Sequence, residues 1–170
     1  MKKHALLILS LLLLSLYVIS CSSETFTTVW YEDMAHMEKN ISFTVKTLPN
    51  AGDPIVYGVM DRRLSDLRYS VTDEYGRSAS LSFRMSTPDY VKKLDASGKE
   101  PFAGEHGLPT KTERLGSAHV SYYSSGSTVS AEWELGSYAY AIILKFDENE
   151  SAVPDDIRDY VLSVISMGVN

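Results

Sequence analysis

Apolar and polar residues alternate along most of the chain, with the period of two that is typical of strands buried on one face. The clearest runs lie in the second half, at Thr128–Leu135 and at Tyr138–Phe146. The same pattern predicts further strands at 41–47, 55–60, 67–72, 79–85 and 114–124. Turns containing glycine or proline separate several of these runs, as in hairpins. We therefore expect a largely antiparallel sheet.

Helical periodicity is confined to short stretches. A short helix is predicted within 31–40, where Met34 and Met37 lie three residues apart, and another at 88–96. A terminal helix follows Pro154, with an apolar stripe formed by Ile157, Tyr160, Val161, Val164 and Ile165. This stripe requires an apolar surface to cover, and the sheet supplies one. We predict an α+β fold: an antiparallel meander sheet of about six or seven strands, a short N-terminal helix, and an amphipathic C-terminal helix packed on one face.

The first twenty residues have a different character. Two lysines follow Met1, and an apolar run of about 15 residues then ends at Ile19, which is short for a membrane-spanning helix of roughly 20 residues. A cationic start, a short apolar middle and a small final residue are typical of a secretory signal. We predict a signal peptide at 1–20, a tether at 21–29 and a single domain at 30–170.

The end of the apolar run reads Val18-Ile19-Ser20-Cys21, which resembles the lipobox of bacterial lipoprotein precursors. In that family the cysteine thiol receives a diacylglyceryl group and a peptidase cuts just before it. The resemblance implies lipid attachment at Cys21 and anchoring at the extracytoplasmic face of the cell membrane. Cys21 is the only cysteine, which excludes an internal disulfide. The alternative is an ordinary signal, or an uncleaved anchor, with a chance cysteine.

The domain itself also carries a resemblance. Residues 41–49 (ISFTVKTLP), 59–70 (VMDRRLSDLRYS) and above all 131–142 (AEWELGSYAYAI) resemble an uncharacterised domain family. That family is common in lipoproteins of Gram-positive bacteria and also follows transmembrane segments of anti-sigma type. The resemblance extends from about Tyr31 to Met167 and implies a fold and a location, not an activity.

The net charge limits the classes of partner that the chain is expected to bind. The formal charge is −6, and loss of the signal removes two lysines and no acids, which leaves −8. An acidic balance argues against nucleic acid and against attachment to an anionic membrane through charge. We expect a monomer held at the membrane by the lipid on Cys21, with no cofactor.

Catalytic signatures are missing from the sequence: there is no Gly-x-Ser-x-Gly, glycine-rich phosphate loop, His-Glu-x-x-His or EF-hand. A weak metal site formed by Glu32, Asp33 and His36 is an alternative to a solvated helix face, which we favour. Glu105 and His106 form a candidate ligand pair in the irregular segment Ser86–Thr112. An enzyme site in that segment is a further alternative, since so long a loop is functional or disordered.

Two more sets of residues are candidates for binding. Glu132 and Glu134 lie two apart on one strand, where both could face a ligand, although an exposed strand face is the simpler interpretation. An aromatic set could line an apolar groove, although we favour a place in the core for it: Tyr122, Trp133, Tyr138 and Tyr140. We predict a non-enzymatic binding or interaction module at the cell envelope. The alternative is a carrier of hydrophobic ligands or an envelope-stress sensor.

Overall fold

A computed structural model describes residues 26–98, 101–104, 107–147 and 149–167. Within these ranges the chain forms eight strands and three helices. The strands are β1 (Thr28–Tyr31), β2 (Val56–Met60), β3 (Leu64–Thr72), β4 (Ser78–Ser86), β5 (Lys111–Leu115), β6 (Ala118–Ser125), β7 (Thr128–Leu135) and β8 (Tyr138–Phe146). The helices are α1 (Met34–Glu38), α2 (Pro88–Ser97) and α3 (Asp155–Ser166).

All eight strands form one antiparallel sheet in the order β1-β2-β3-β4-β8-β7-β6-β5. Two four-stranded meanders therefore lie side by side, and β4 pairs with β8 at the centre. The connection from β4 to β5 contains α2 and runs from the centre of the sheet to its edge. The predicted α+β fold with an antiparallel meander sheet is confirmed, with eight strands instead of six or seven.

One face of the sheet, which we call the apolar face, carries the main core. On β4 this face consists of Leu81, Phe83 and Met85, all buried. Helix α3 lies across it and buries Ile157, Val161 and Val164, as the apolar stripe predicted. Two aspartates in the first turn of α3 suit the positive end of the helix dipole.

The opposite face, which we call the polar face, holds a smaller core under α2. Tyr90 and Leu94 of α2 pack with Phe102 against Ala139 and Ala141 of β8. Alanine at both β8 positions leaves room for the helix to approach the backbone of the sheet. Helix α2 therefore covers β8 and its neighbours but leaves β6 and β7 open on this face.

A buried ion network lies beside α2 on the polar face. Arg84 of β4 contacts Asp66 of β3 at 3.2 Å and donates hydrogen bonds to the carbonyl oxygens of Pro101 and Phe102. Both charged side chains are more than nine-tenths buried. The arginine thus fixes the segment that follows α2 to the centre of the sheet.

The network ends in an aromatic contact at the edge of the sheet. Arg68 lies 3.4 Å from Asp66 and 4.4 Å above the ring of Trp30 on β1. Trp30 in turn covers Gly58 of β2, where an added Cβ would stand 2.5 Å from the indole ring. Glycine at 58 is therefore required by the indole that lies over it.

The strand predicted at 41–47 is wrong. This segment forms no ladder but crosses the apolar face from one end of the sheet to the other, and it buries Ile41, Val45 and Leu48. The N–H of Leu48 donates to the hydroxyl of Tyr69, 3.0 Å away. A segment lying on a sheet buries alternate side chains much as an edge strand does, so the sequence pattern was the same.

One further strand prediction is wrong in its bounds, and one strand was missed. The predicted strand 114–124 is two strands, β5 and β6, because Gly116 turns the chain with a φ of +60°. Strand β1 was not predicted at all, and it begins inside the segment expected to be a tether. The helix predicted within 31–40 is confirmed but shorter, and the helix at 88–96 is confirmed as α2.

Candidate functional site

The aromatic residues considered for a ligand groove are core residues. Tyr122, Trp133 and Tyr140 are buried on the apolar face, and Tyr138 is half-buried. The ring centroids of Trp133 and Tyr140 lie 5.6 Å apart in a stacked arrangement, and Phe43 packs on Tyr138 at 5.5 Å. Helix α3 and the segment 41–48 fill the space over these rings, so the core interpretation is the one that fits the structure.

A cleft opens instead on the polar face, between α2 and the exposed strands β6 and β7. Its volume is about 290 Å³, close to the lower limit of small-molecule pockets. Its lining includes Pro88, Val91, Lys92, Asp95, Phe102, His119, Ser121, Glu132, Glu134 and Ala139. The cleft therefore joins the Ser86–Thr112 segment to the carboxylate pair of β7, two features that lie far apart in sequence.

The register of β6 and β7 explains why polar groups meet in this cleft. Ser121 pairs with Glu132, so the odd-numbered residues of β6 and the even-numbered residues of β7 share the polar face. His119 and Glu134 line the cleft two residues further along. The two glutamates thus share one solvated face, as their spacing predicted, whereas no pattern in the sequence indicated that His119 would lie beside them.

Glu132 has a neighbour that holds it in place. The hydroxyl of Tyr123 donates to Glu132 Oε1 at 2.5 Å. Burial, followed by the hydrogen bond and charge of Glu132, raises the pKa of Tyr123 well above its ordinary value. Tyr123 therefore stays a neutral donor over the physiological range, and Glu132 stays oriented along the strand face.

The opposite wall of the cleft is positioned by α2. Asp95 accepts a hydrogen bond from the N–H of Phe102 at 3.0 Å, which ties the end of α2 to the following segment. Gly98 ends the helix with a left-handed φ of +64°. With Lys92 exposed on the same helix, the cleft presents both signs of charge, which suits a polar ligand better than an acyl chain.

The considered metal site is a helix cap. Asp33 accepts hydrogen bonds from the backbone N–H and from Nδ1 of His36, at 2.8 and 2.9 Å. These bonds, led by the one from the backbone, lower the pKa of Asp33. No group of three metal-ligating side chains occurs in the described part of the chain. Glu105, His106 and Cys21 lie outside the described residues.

A second concave surface of the described domain was not predicted. A cavity of about 790 Å³ lies between the β3–β4 turn and the start of α3. Arg77 crosses it, contacting Asp73 at 2.6 Å and Asp156 at 2.8 Å, and its guanidinium lies 4.2 Å above the ring of Phe146. Arg77 thus acts as a clamp between the hairpin and the helix. The sequence offered only a weak signal, an arginine placed four residues after Asp73 in a turn.

Comparison with known proteins gives no relative. No family model, curated protein or solved structure matches the chain. Within the residues that the structure describes, no helix has the length and apolar character needed to cross a bilayer. The resemblances to lipoprotein precursors and to an uncharacterised domain family therefore stay predictions from the sequence.

Proposed function

We propose that this chain is a lipid-anchored extracytoplasmic protein and that its domain is a non-enzymatic binding or interaction module at the cell envelope. The observation that carries the proposal is Val18-Ile19-Ser20-Cys21, which places the sole cysteine directly after a short apolar signal. The fold is consistent with it, because the described domain begins within a few residues of Cys21. Two or more acyl chains on one residue suffice for stable anchoring, at about 0.8 kcal/mol per buried CH₂.

The structure offers one surface for binding and disfavours another. The cleft between α2 and β6–β7 is polar, mixed in charge and open to solvent. The aromatic residues that a hydrophobic-ligand carrier would need are packed beneath α3 and the segment 41–48. A polar small molecule or a protein partner therefore fits this domain better than a lipid ligand does.

The anchor is tested by a single substitution in the full chain. In a bacterial host, Cys21→Ala should abolish incorporation of a palmitate analogue and move the protein out of the membrane fraction. The matched control is Ser22→Ala, which changes the next residue and leaves the thiol; it should be acylated and sediment with membranes. Retention of Cys21→Ala in the membrane fraction would contradict the proposal.

A further inference from the structure

The two ends of the sheet differ in the turns that they carry. We call the end where β1 begins the proximal end; its turns are 61–63, 116–117 and 136–137. The distal end carries the turns and connections 48–55, 73–77, 125–127 and 147–156, the last without residue 148, which is not described. This division follows from the strand register alone and places Thr28 beside Met60, at the foot of the 61–63 turn.

The described charges are distributed unevenly between these ends. The distal segments carry Arg77, and two lysines flank them, Lys111 at the start of β5 and Lys145 at the end of β8. These three cations stand against seven acids: Asp53, Asp73, Glu74, Asp147, Glu150, Asp155 and Asp156. The proximal turns carry Arg62 and Arg63, both exposed, against one acid, Asp61. The nearest flanking charges are those of Arg114, Asp89 and Glu134, so the proximal end is close to neutral. Among the described charges at the two ends of the sheet, the negative excess therefore lies at the distal end.

The backbone holds the proximal arginines outward. Asp61 and Arg62 both adopt positive φ, at +50° and +61°, which is uncommon for residues other than glycine. The turn is braced on both sides: the hydroxyl of Tyr90 donates to Asp61 at 2.8 Å, and the N–H of Ser42 donates to the carbonyl of Arg62. Asp61 is thus engaged by α2, while the two arginines have their exposed side chains at the tip of the sheet.

Few residues lie between Cys21 and the described domain. Phe26 is half-buried against the polar-face core, with its ring 6.1 Å from that of Tyr90. Only five residue steps separate it from Cys21, which span at most about 18 Å. Nine residues of β3 extend over roughly 27 Å. If the distal end lay on the bilayer, Phe26 would stand further from the membrane than an acyl-anchored Cys21 can reach.

We infer that the proximal end of the sheet is a membrane-facing surface that rests on anionic lipid headgroups, with Arg62 and Arg63 as its contacts and the acidic distal end directed away. This inference rests on the proposed anchor at Cys21. Tether length excludes the inverted orientation, and repulsion between the distal acids and anionic lipids disfavours a domain lying on its side. The overall acidic charge, which argued against membrane contact, instead orients it.

The orientation is testable without natural acylation. The mature chain from Cys21 is coupled through its only thiol to a maleimide lipid, in vesicles of phosphatidylcholine with or without phosphatidylglycerol. Hydrogen exchange is then compared at the 61–63 and 73–77 turns of the same molecules. With phosphatidylglycerol present, the amides of the 61–63 turn should exchange several-fold more slowly, while those of the 73–77 turn should not change. Because coupling is chemical, a failure here is distinct from a failure of acylation in the cell.

Charge variants show whether the arginines cause the protection. Arg63→Glu should remove it, whereas Lys145→Glu, the same charge change near the distal end, should leave it intact. Arg62→Asn is a second variant that should also weaken the protection. Asparagine is chosen because it tolerates the left-handed backbone better than most residues. Equal exchange in both lipid mixtures, protection of the 73–77 turn, or loss of protection in Lys145→Glu would each overturn the inference.

Discussion

The two faces of the sheet differ in how far they are covered and in which residues they bury. The apolar face is covered by a helix and an extended segment, and nearly all of its side chains are hydrocarbon or aromatic. The polar face is only half covered, and beneath α2 it buries Asp66, Arg84 and Ser86. The first face provides stability through packing, whereas the second combines a fixed ion network with an open cleft. The difference is the reason for which we propose the polar face, and not the apolar face, as the binding surface.

Truncation in the main core should have the largest effect. Phe83→Ala removes a ring that is almost fully buried and stacked 6.2 Å from Tyr140. We expect a loss of about 3–5 kcal/mol in the free energy of unfolding, from lost transfer energy and the cavity that remains. Chemical denaturation measures it. Ser82→Ala, next to it on the polar face, is the matched control and should change stability by less than about 0.5 kcal/mol; similar losses in the two variants would contradict the assignment of faces.

The ion network should come next. Asp66→Asn keeps the shape of the side chain but removes the charge that balances the buried guanidinium of Arg84. We expect a loss of about 2–3 kcal/mol, less than for full removal of a buried partner because the amide oxygen still accepts a hydrogen bond. Urea unfolding measures the loss. Asp147→Asn makes the same change at an exposed position. Equal stability of the two variants would show that the ion pair between Asp66 and Arg84 adds no more to the free energy of unfolding than an exposed carboxylate does.

The sequence predicts the structure well where the buried residues are apolar and the exposed residues are polar. This relation holds on β7, β8 and α3, so alternation and the 3.6-residue stripe identified the elements and the main core. On the polar face this relation fails, because polar residues such as Asp66 are buried there. From the sequence alone, such a residue is expected to be exposed to solvent. The cleft also depends on the central pairing of β4 with β8, which sends α2 across the sheet and which no local pattern encodes.

The smallest expected effect concerns a tyrosine hydroxyl on the apolar face that bonds to the segment 41–48. Tyr69 is fully buried, and its oxygen accepts the N–H of Leu48 at 3.0 Å. Burial raises the pKa of Tyr69 to about 12, with smaller contributions from Tyr57 and Asp53, while the bond from Leu48 lowers it. Tyr69→Phe should lose about 1–2 kcal/mol at neutral pH, because the amide of Leu48 is left without an acceptor.

The pH dependence of this variant separates the hydroxyl from mere packing. A pKa raised in the folded state gives stability that is fully present below the ordinary value of 10.0 and is lost as the pH rises through about 12. The parent protein should therefore lose more stability than Tyr69→Phe across that interval, and the two unfolding curves should converge. Tyr75→Phe, at an exposed tyrosine, is the control and should follow the parent more closely. Parallel curves for the parent and Tyr69→Phe would show that the hydroxyl ionises freely, and that the segment 41–48 does not seal the apolar face.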